Sequence, residues 1–265
     1  MILNFINWNI DPEIVGFWGL SIRYYGVLFA ASFFFGYIIM QKIFNKEGLK
    51  VELLDKLTVY MAVGTVLGAR LGHCLFYEPA YYLANPIKIL MIWQGGLASH
   101  GAAIGILISL WYFSKKNKKP YLWTLDRIVI VVALAGFFIR MGNFMNSEIY
   151  GIETSLPWGV IFLRNGETVA KHPTQIYEAL SYLFIFVLLY FIYNKKGTQI
   201  RQGLIFSIFL ILLFTVRFFI EFIKNDQVGF EQGMSLNMGQ WLSIPFILVG
   251  LFLLYRSLKL QPSNK

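Results

Sequence analysis

The sequence holds a single cysteine, Cys74, so no internal disulfide framework is available to it. Charge is also scarce. Only 14% of the 265 residues are Asp, Glu, Lys or Arg, against about 25% in ordinary soluble domains. Apolar residues make up 57%, too much to hide inside one core, so lipid has to solvate much of it. Three scattered histidines and one cysteine lack the spacing of metal ligands, and we expect no metal. No soluble cofactor motif is present, and no cofactor is expected. The N-terminus lacks the basic n-region of a cleavable signal peptide, so the first apolar run reads as a permanent helix. There is no low-complexity stretch and no convincing repeat.

What charge there is has a pattern. The net charge is +9, but the positive residues fall in short loops between apolar runs. A nucleic-acid partner would need a continuous basic stripe, and none is visible. A bilayer-spanning helix takes roughly 20 mostly apolar residues. Runs near 17–41, 57–77, 95–113, 125–145, 178–193, 204–223 and 240–258 qualify, the fifth with an earlier start near Pro173. Alternate linkers are rich in lysine: Lys42, Lys46, Lys50 and Lys56, then Lys115, Lys116, Lys118 and Lys119, then Lys195, Lys196 and Arg201, and last the basic tail after Tyr255. The positive-inside rule places these in the cytoplasm. The expected fold is an all-α integral membrane protein, one transmembrane domain over 1–265 with about seven transmembrane helices. Its N-terminus is outside and its C-terminus cytoplasmic.

Two external segments stand out. Residues 78–94 contain Pro79, Tyr81, Tyr82, Pro86 and Trp93, which suits a small external arm lying in the membrane interface. Residues 146–177 form an external head segment. There Trp158 to Leu163 is strand-like, Asn165-Gly166 is a turn pair and Thr168 to Ala170 could return, which predicts a small β-hairpin. Gly64, Gly68 and Gly72, and again Gly101 and Gly105, recur every four residues and read as close helix packing.

Ionisable residues inside a membrane are costly and mark candidate sites. At ~1.5 Å per residue, Arg140 lies about 22 Å from the cytoplasmic start of its helix, and Arg70 and Arg217 about 20 Å from theirs. All three fall in the outer half of a core about 30 Å thick. His100 is near the outer start of the third span, and Tyr25 about 12 Å down the first. Glu221 follows Arg217 by four residues on the same face. Three cations in one layer repel unless something negative joins them. Glu221 offsets one, Glu148 is a candidate for another, and a phosphate answers the remainder, because guanidinium forks match its oxygens. At that depth the available phosphate is a phospholipid headgroup. The bland alternative is that these arginines snorkel or pair structurally. Of the other histidines, His73 reads as packing and His172 as an interfacial structural residue. Cys74 reads as a small buried hydrophobe.

The segment Gly136-Phe137-Phe138-Ile139-Arg140-Met141-Gly142-Asn143-Phe144-Met145-Asn146-Ser147-Glu148-Ile149-Tyr150-Gly151 resembles the signature of the bacterial prolipoprotein diacylglyceryl transferase family, G-R-x-G-N-F-x-N-x-E-x-x-G. It departs from it at Phe138-Ile139, where many members have a small residue and glycine. Arg23-Tyr24-Tyr25-Gly26, Gly68-Ala69-Arg70-Leu71-Gly72, Gly95 to Gly101, His172-Pro173-Thr174-Gln175-Ile176-Tyr177-Glu178, Arg217 to Phe222 and Met238-Gly239-Gln240 are similar to further family landmarks, in the same order. Some members carry a tyrosine four residues before the helix-six arginine, and here that position is Leu213.

The resemblance implies a multi-pass protein of the bacterial inner membrane. It implies transfer of a diacylglyceryl group from phosphatidylglycerol to the lipobox cysteine thiol of a preprolipoprotein, with release of glycerol phosphate. The partners are then phosphatidylglycerol, the lipobox segment and the lipid bilayer, with no nucleic acid. The nucleophilic thiol belongs to the substrate, so Cys74 need do nothing. In this frame Arg140 is the first choice for the headgroup phosphate and Arg217 the second. His100 is the candidate base, although a cationic cluster could itself lower the thiol pKa. Tyr25 bonds the headgroup or orients the base. Asn143 and Asn146 bond the glycerol hydroxyls, and Glu148 and Glu221 hold the arginines. Arg70 and Gly151 complete the substrate-binding set. The rivals are a membrane anion or lipid transporter, which often shows paired interrupted helices not seen here, and a non-catalytic lipid-binding protein.

Overall fold

The computed structural model describes residues 5–17, 20–225 and 233–259. Eight α-helices run through them: α1 (Tyr24–Lys46), α2 (Val51–Phe76), α3 (Pro79–Ala84), α4 (Ser99–Lys116), α5 (Tyr121–Met145), α6 (Thr174–Lys196), α7 (Leu204–Ile220) and α8 (Met238–Lys259). Six of them, all but α3 and α4, are long and apolar enough to cross a membrane. The protein is an all-α membrane protein. The third expected span is α4, with 18 residues, or about 27 Å at ~1.5 Å each. It opens on Ser99 and His100 and closes on Lys115 and Lys116, which lowers its apolar content below that of the other six. The early start of the fifth span is borne out, since α6 begins at Thr174, directly after Pro173. The basic tail runs past Lys259 outside the described residues.

The first span differs from expectation. Residue 17 and residues 20–23 do not open a helix. β2 (Glu13–Phe17) and β3 (Leu20–Arg23) pair antiparallel, and α1 starts only at Tyr24. Ile14, Val15 and Ile22 are β-branched, and a short apolar run of this kind does not distinguish a strand from a helix. Tyr25 is therefore in the first turn of α1, not two turns down, and Arg23 lies in a strand.

By contacts the described chain divides into two compact units, residues 1–39 with 126–265, and residues 40–125. In the first, α7 packs along α8 and α6. Asp126 of α5, fully buried, accepts from the backbone N–H of Gly203 at 2.7 Å and of Phe206 at 2.8 Å. It thereby satisfies donors that the start of α7 leaves open. Arg201 does the reverse for α8, donating to the Leu258 carbonyl at 2.7 Å.

The segment between α5 and α6 forms a small irregular sheet with β1. β1 (Ile6–Trp8) pairs in parallel with β4 (Val160–Phe162). Single antiparallel bridges extend it from Val160 to Lys171, from Lys171 to Glu153 and from Gly151 to Lys224. The expected hairpin is thus reduced. The strand forms, and the chain turns through Leu163–Asn165 and the left-handed Gly166. Its return touches Val160 only at Lys171, because the ladder partner of β4 is β1. Phe144, Val160 and Phe162 form the core beneath, with Trp8 and Tyr150 packed on it.

In the second unit α2 and α4 meet through their glycines. A Cβ at Gly72 would lie 2.6 Å from Gly101 Cα, and one at Gly105 would lie 2.7 Å from Gly68 Cα. The packing role read from their spacing is what the structure shows. Between the two helices, α3 is followed by 3-10 turns at Pro86–Leu90 and Ile92–Gln94.

Candidate active site

Arg140 sits near the end of α5, largely buried. Its Nε lies 2.6 Å from Glu178 Oε2, an ion contact off the hydrogen-bond axis. Its Nη1 donates to Asn143 Oδ1 at 3.1 Å, one helical turn on. Asn143 Nδ2 in turn donates to Glu148 Oε1 at 2.7 Å, and Asn146 Nδ2 to the same oxygen at 3.3 Å. α5 ends at Met145, and the turn after it folds Glu148 back toward the helix.

The charges continue from Glu178. Its other oxygen is 3.4 Å from Lys224 Nζ, which is 3.1 Å from Glu221 Oε1. Glu221 Oε1 is also 3.6 Å from Arg217 Nε. Glu178, Glu221 and Lys224 are all buried. Gly239, at the start of α8, lets the Glu221 carboxylate in, since a Cβ there would lie 2.5 Å from Glu221 Cδ. Asn237 Nδ2 donates to Glu221 Oε2 at 3.1 Å. Cation and anion alternate along Arg140, Glu178, Lys224, Glu221 and Arg217, and Glu148 joins the Arg140 end through Asn143. Arg217 is the open end. Its side chain is 30% exposed, and it makes no hydrogen bond among the described residues.

The structure thus joins Arg140, Asn143, Asn146 and Glu148 in one hydrogen-bonded group, and Arg217 and Glu221 in a chain that reaches it. Tyr25 packs on α5 at Gly142, where a Cβ would lie 2.7 Å from its ring. Gly151 bridges to Lys224 with no room for a side chain against the Ile223 carbonyl. A polar cavity of about 310 Å³ opens beside Asn146, Glu148, Tyr150, Asn165 and Asn225. Asn146 Oδ1 is buried without a partner among the described residues.

Arg70 and His100 belong to the other unit. Arg70 is buried and committed to backbone carbonyls: Nε to Ile89 at 2.9 Å, Nη2 to Lys88 at 2.5 Å, and Nη1 to Gly95 at 2.5 Å and Gly96 at 3.3 Å. Its guanidinium also lies 5.0 Å over the Tyr82 ring. These contacts fix the segment after α3, so the structural alternative describes Arg70 better than a phosphate ligand does. His100 is exposed in the first turn of α4 and has no hydrogen-bond partner among the described residues. Cys74 is buried. His73 stacks on Tyr77, and His172 Nδ1 is 3.2 Å from the Tyr177 hydroxyl.

Three features were not foreseen. The direct carboxylate on Arg140 is Glu178; Glu148 acts one hydrogen bond away, through Asn143. Glu178 stood within the His172–Glu178 landmark but carried no role. Lys224 fell just past the expected end of the sixth span. Its signal was the three-residue spacing from Glu221, which places both on one side of a helical turn.

Comparison with known proteins bears on the same residues. The family model described as Prolipoprotein diacylglyceryl transferase matches residues 12–256. A protein of Tolumonas auensis named phosphatidylglycerol–prolipoprotein diacylglyceryl transferase is 49% identical over 253 residues, covering 95% of this chain and 97% of its own. Proteins of the same name from Porphyromonas gingivalis and Bacteroides fragilis are 46% and 41% identical. They cover 96% and 94% of this chain, and 95% and 94% of their own.

Proposed function

Because the chain belongs to the prolipoprotein diacylglyceryl transferase family, it is a membrane transferase of lipoprotein maturation, and we propose that its Arg140–Arg217 network is the phosphate site of that reaction. The substrates are phosphatidylglycerol and the lipobox segment of a preprolipoprotein. The observation that carries this reading is the alternating charge chain that ends at Arg217, a part-exposed guanidinium with no hydrogen bond among the described residues. A lipid phosphate completes it.

In this reaction the substrate thiolate attacks the glyceryl CH2 carbon. The C–S bond forms and the C–O bond to phosphate breaks. The electron pair goes to the phosphate oxygen, and glycerol phosphate leaves. Charge that develops on that oxygen is stabilised by preorganised guanidinium donors. Arg140 is held from two sides, by Glu178 and by Asn143, and so does not have to reorganise. Arg217 offers its unused donors. The free Oδ1 of Asn146 accepts from a glycerol hydroxyl. His100 takes the thiol proton, in the role of a general base that histidine commonly fills. Seven spans, with α4 among them, put the N-terminus outside and the C-terminus in the cytoplasm of a bacterial inner membrane. Residues 78–94 then lie as an interfacial arm and 146–177 as an external head.

Purified protein, phosphatidylglycerol and a lipobox peptide should release glycerol phosphate only when all three are present. Arg140→Ala should abolish release while the protein remains folded in the membrane, and normal release by that variant would overturn the phosphate assignment. His100→Gln tests the base. Near-normal turnover would leave thiol activation to the arginines.

A further inference from the structure

The turn that carries Glu148 is strained and heavily held. Ser147 and Ile149 have φ of 57° and 62°, a left-handed conformation that a β-branched residue such as Ile149 rarely adopts. Three consecutive carbonyls of this turn each accept from a side chain. Asn165 Nδ2 donates to Ser147 O at 2.6 Å, Gln175 Nε2 to Glu148 O at 2.6 Å, and Thr174 Oγ1 to Ile149 O at 2.9 Å. Thr174 and Gln175 are fully buried in the first turn of α6. Gln175 Oε1 is buried as well, with no partner among the described residues. Half of a buried amide left unsatisfied is destabilising, so Gln175 does not serve stability alone.

What the clamp fixes is the position of Glu148. Glu148 holds the Asn143 amide, and Asn143 holds Arg140 Nη1. The same helix reaches Arg140 directly, through Glu178. We propose that Thr174 and Gln175 are positioning residues that aim the Arg140 guanidinium, acting through the strained carbonyls of 148 and 149 and then through Glu148 and Asn143. The inference rests on the reading of Arg140 as the phosphate ligand.

The test uses the full-length protein in detergent and the glycerol phosphate assay. Thr174→Val and Gln175→Met keep side-chain volume and remove the donor. Each should lower kcat about tenfold per folded molecule, with KM for phosphatidylglycerol within about twofold, because a mis-aimed group costs most in the transition state. Thr174→Ser should restore the rate. Ile149→Gly should be near normal alone and should recover most of the loss in either variant, since glycine takes the left-handed turn without a clamp. A role in packing alone predicts no rescue by glycine at 149, so absence of rescue overturns the proposal. So does misfolding of both variants, which would show a role in stability alone. Normal transfer by Arg140→Ala is a separate result and would sink the phosphate reading instead.

Discussion

Arg70 and Arg140 are the same side chain, each near the far end of a long apolar helix, and the structure uses them in opposite ways. Arg70 gives four hydrogen bonds to neutral carbonyls and covers an aromatic ring. Among the described residues no carboxylate pairs with its charge, four of its five N–H donors go to the backbone, and they hold one segment of it. Arg140 meets a carboxylate and an amide, each held by further polar groups. Its chain of partners ends at Arg217, which meets Glu221 at 3.6 Å and makes no hydrogen bond among the described residues. Cost of burial marks a residue as important in both places, but only the pattern of partners separates a latch from a site.

The largest effect expected is at the carboxylate that has no counterpart beside Arg70. Glu178→Ala would leave Arg140 without its direct carboxylate in a buried place and Lys224 with Glu221 alone, and breaking such a pair costs roughly 3–5 kcal/mol. Thermal unfolding in detergent should show a large drop, and whatever protein remains folded should not transfer. A variant as stable as the parent would mean that the network is not coupled as drawn.

Lysine in place of each arginine sharpens the contrast further. Arg140→Lys keeps the charge but loses the planar fork. Transfer should fall on the order of 100-fold, typical of removing one preorganised donor from a transition state, with a melting temperature close to the parent's. Arg70→Lys should do the reverse. An ammonium cannot span carbonyls at 88, 89, 95 and 96, and loss of such charged hydrogen bonds costs about 2 kcal/mol or more. Limited proteolysis should open residues 85–96, while transfer per folded molecule changes less than in Arg140→Lys. If the two variants behave alike, the distinction between latch and site fails.

How much of this the sequence carried depends on distance along the chain. The spans were legible because lipid demands uninterrupted apolar runs, and Arg140, Asn143, Asn146 and Glu148 were legible because one short window holds them all. The start of α1 was not, since β3 runs directly into the helix at Tyr24 with no turn residue such as Gly or Pro between them. Glu178 was not, because its meeting with Arg140 is made by the packing of α6 on α5, which periodicity does not reveal. Lys224 was hidden because it follows directly on a span that ends at Ile223 as expected, and there it looked like an ordinary loop cation. The partners of Arg70 were not legible because they are carbonyls, and every residue has one of those.

The smallest predicted effect concerns pH. A guanidinium stays charged throughout the accessible range, so the Arg70 latch should not respond to acid. The segment between α5 and α6 contains His172, whose imidazole is pushed below its ordinary value by burial. The folded protein therefore takes up this proton at lower pH than the unfolded chain does. Below about 6.5, the value of the unperturbed group, the unfolded state binds more proton, and stability falls as pH drops through that window. Above it the contribution is constant. The melting temperature should accordingly decline between pH 7 and pH 5, and His172→Gln should flatten part of that decline while leaving the stability contributed by Arg70 untouched at both values. An equal decline in the variant would place the acid sensitivity elsewhere, and the carboxylates paired with Lys171 in the same segment, Glu153 and Glu167, would be the next groups to replace.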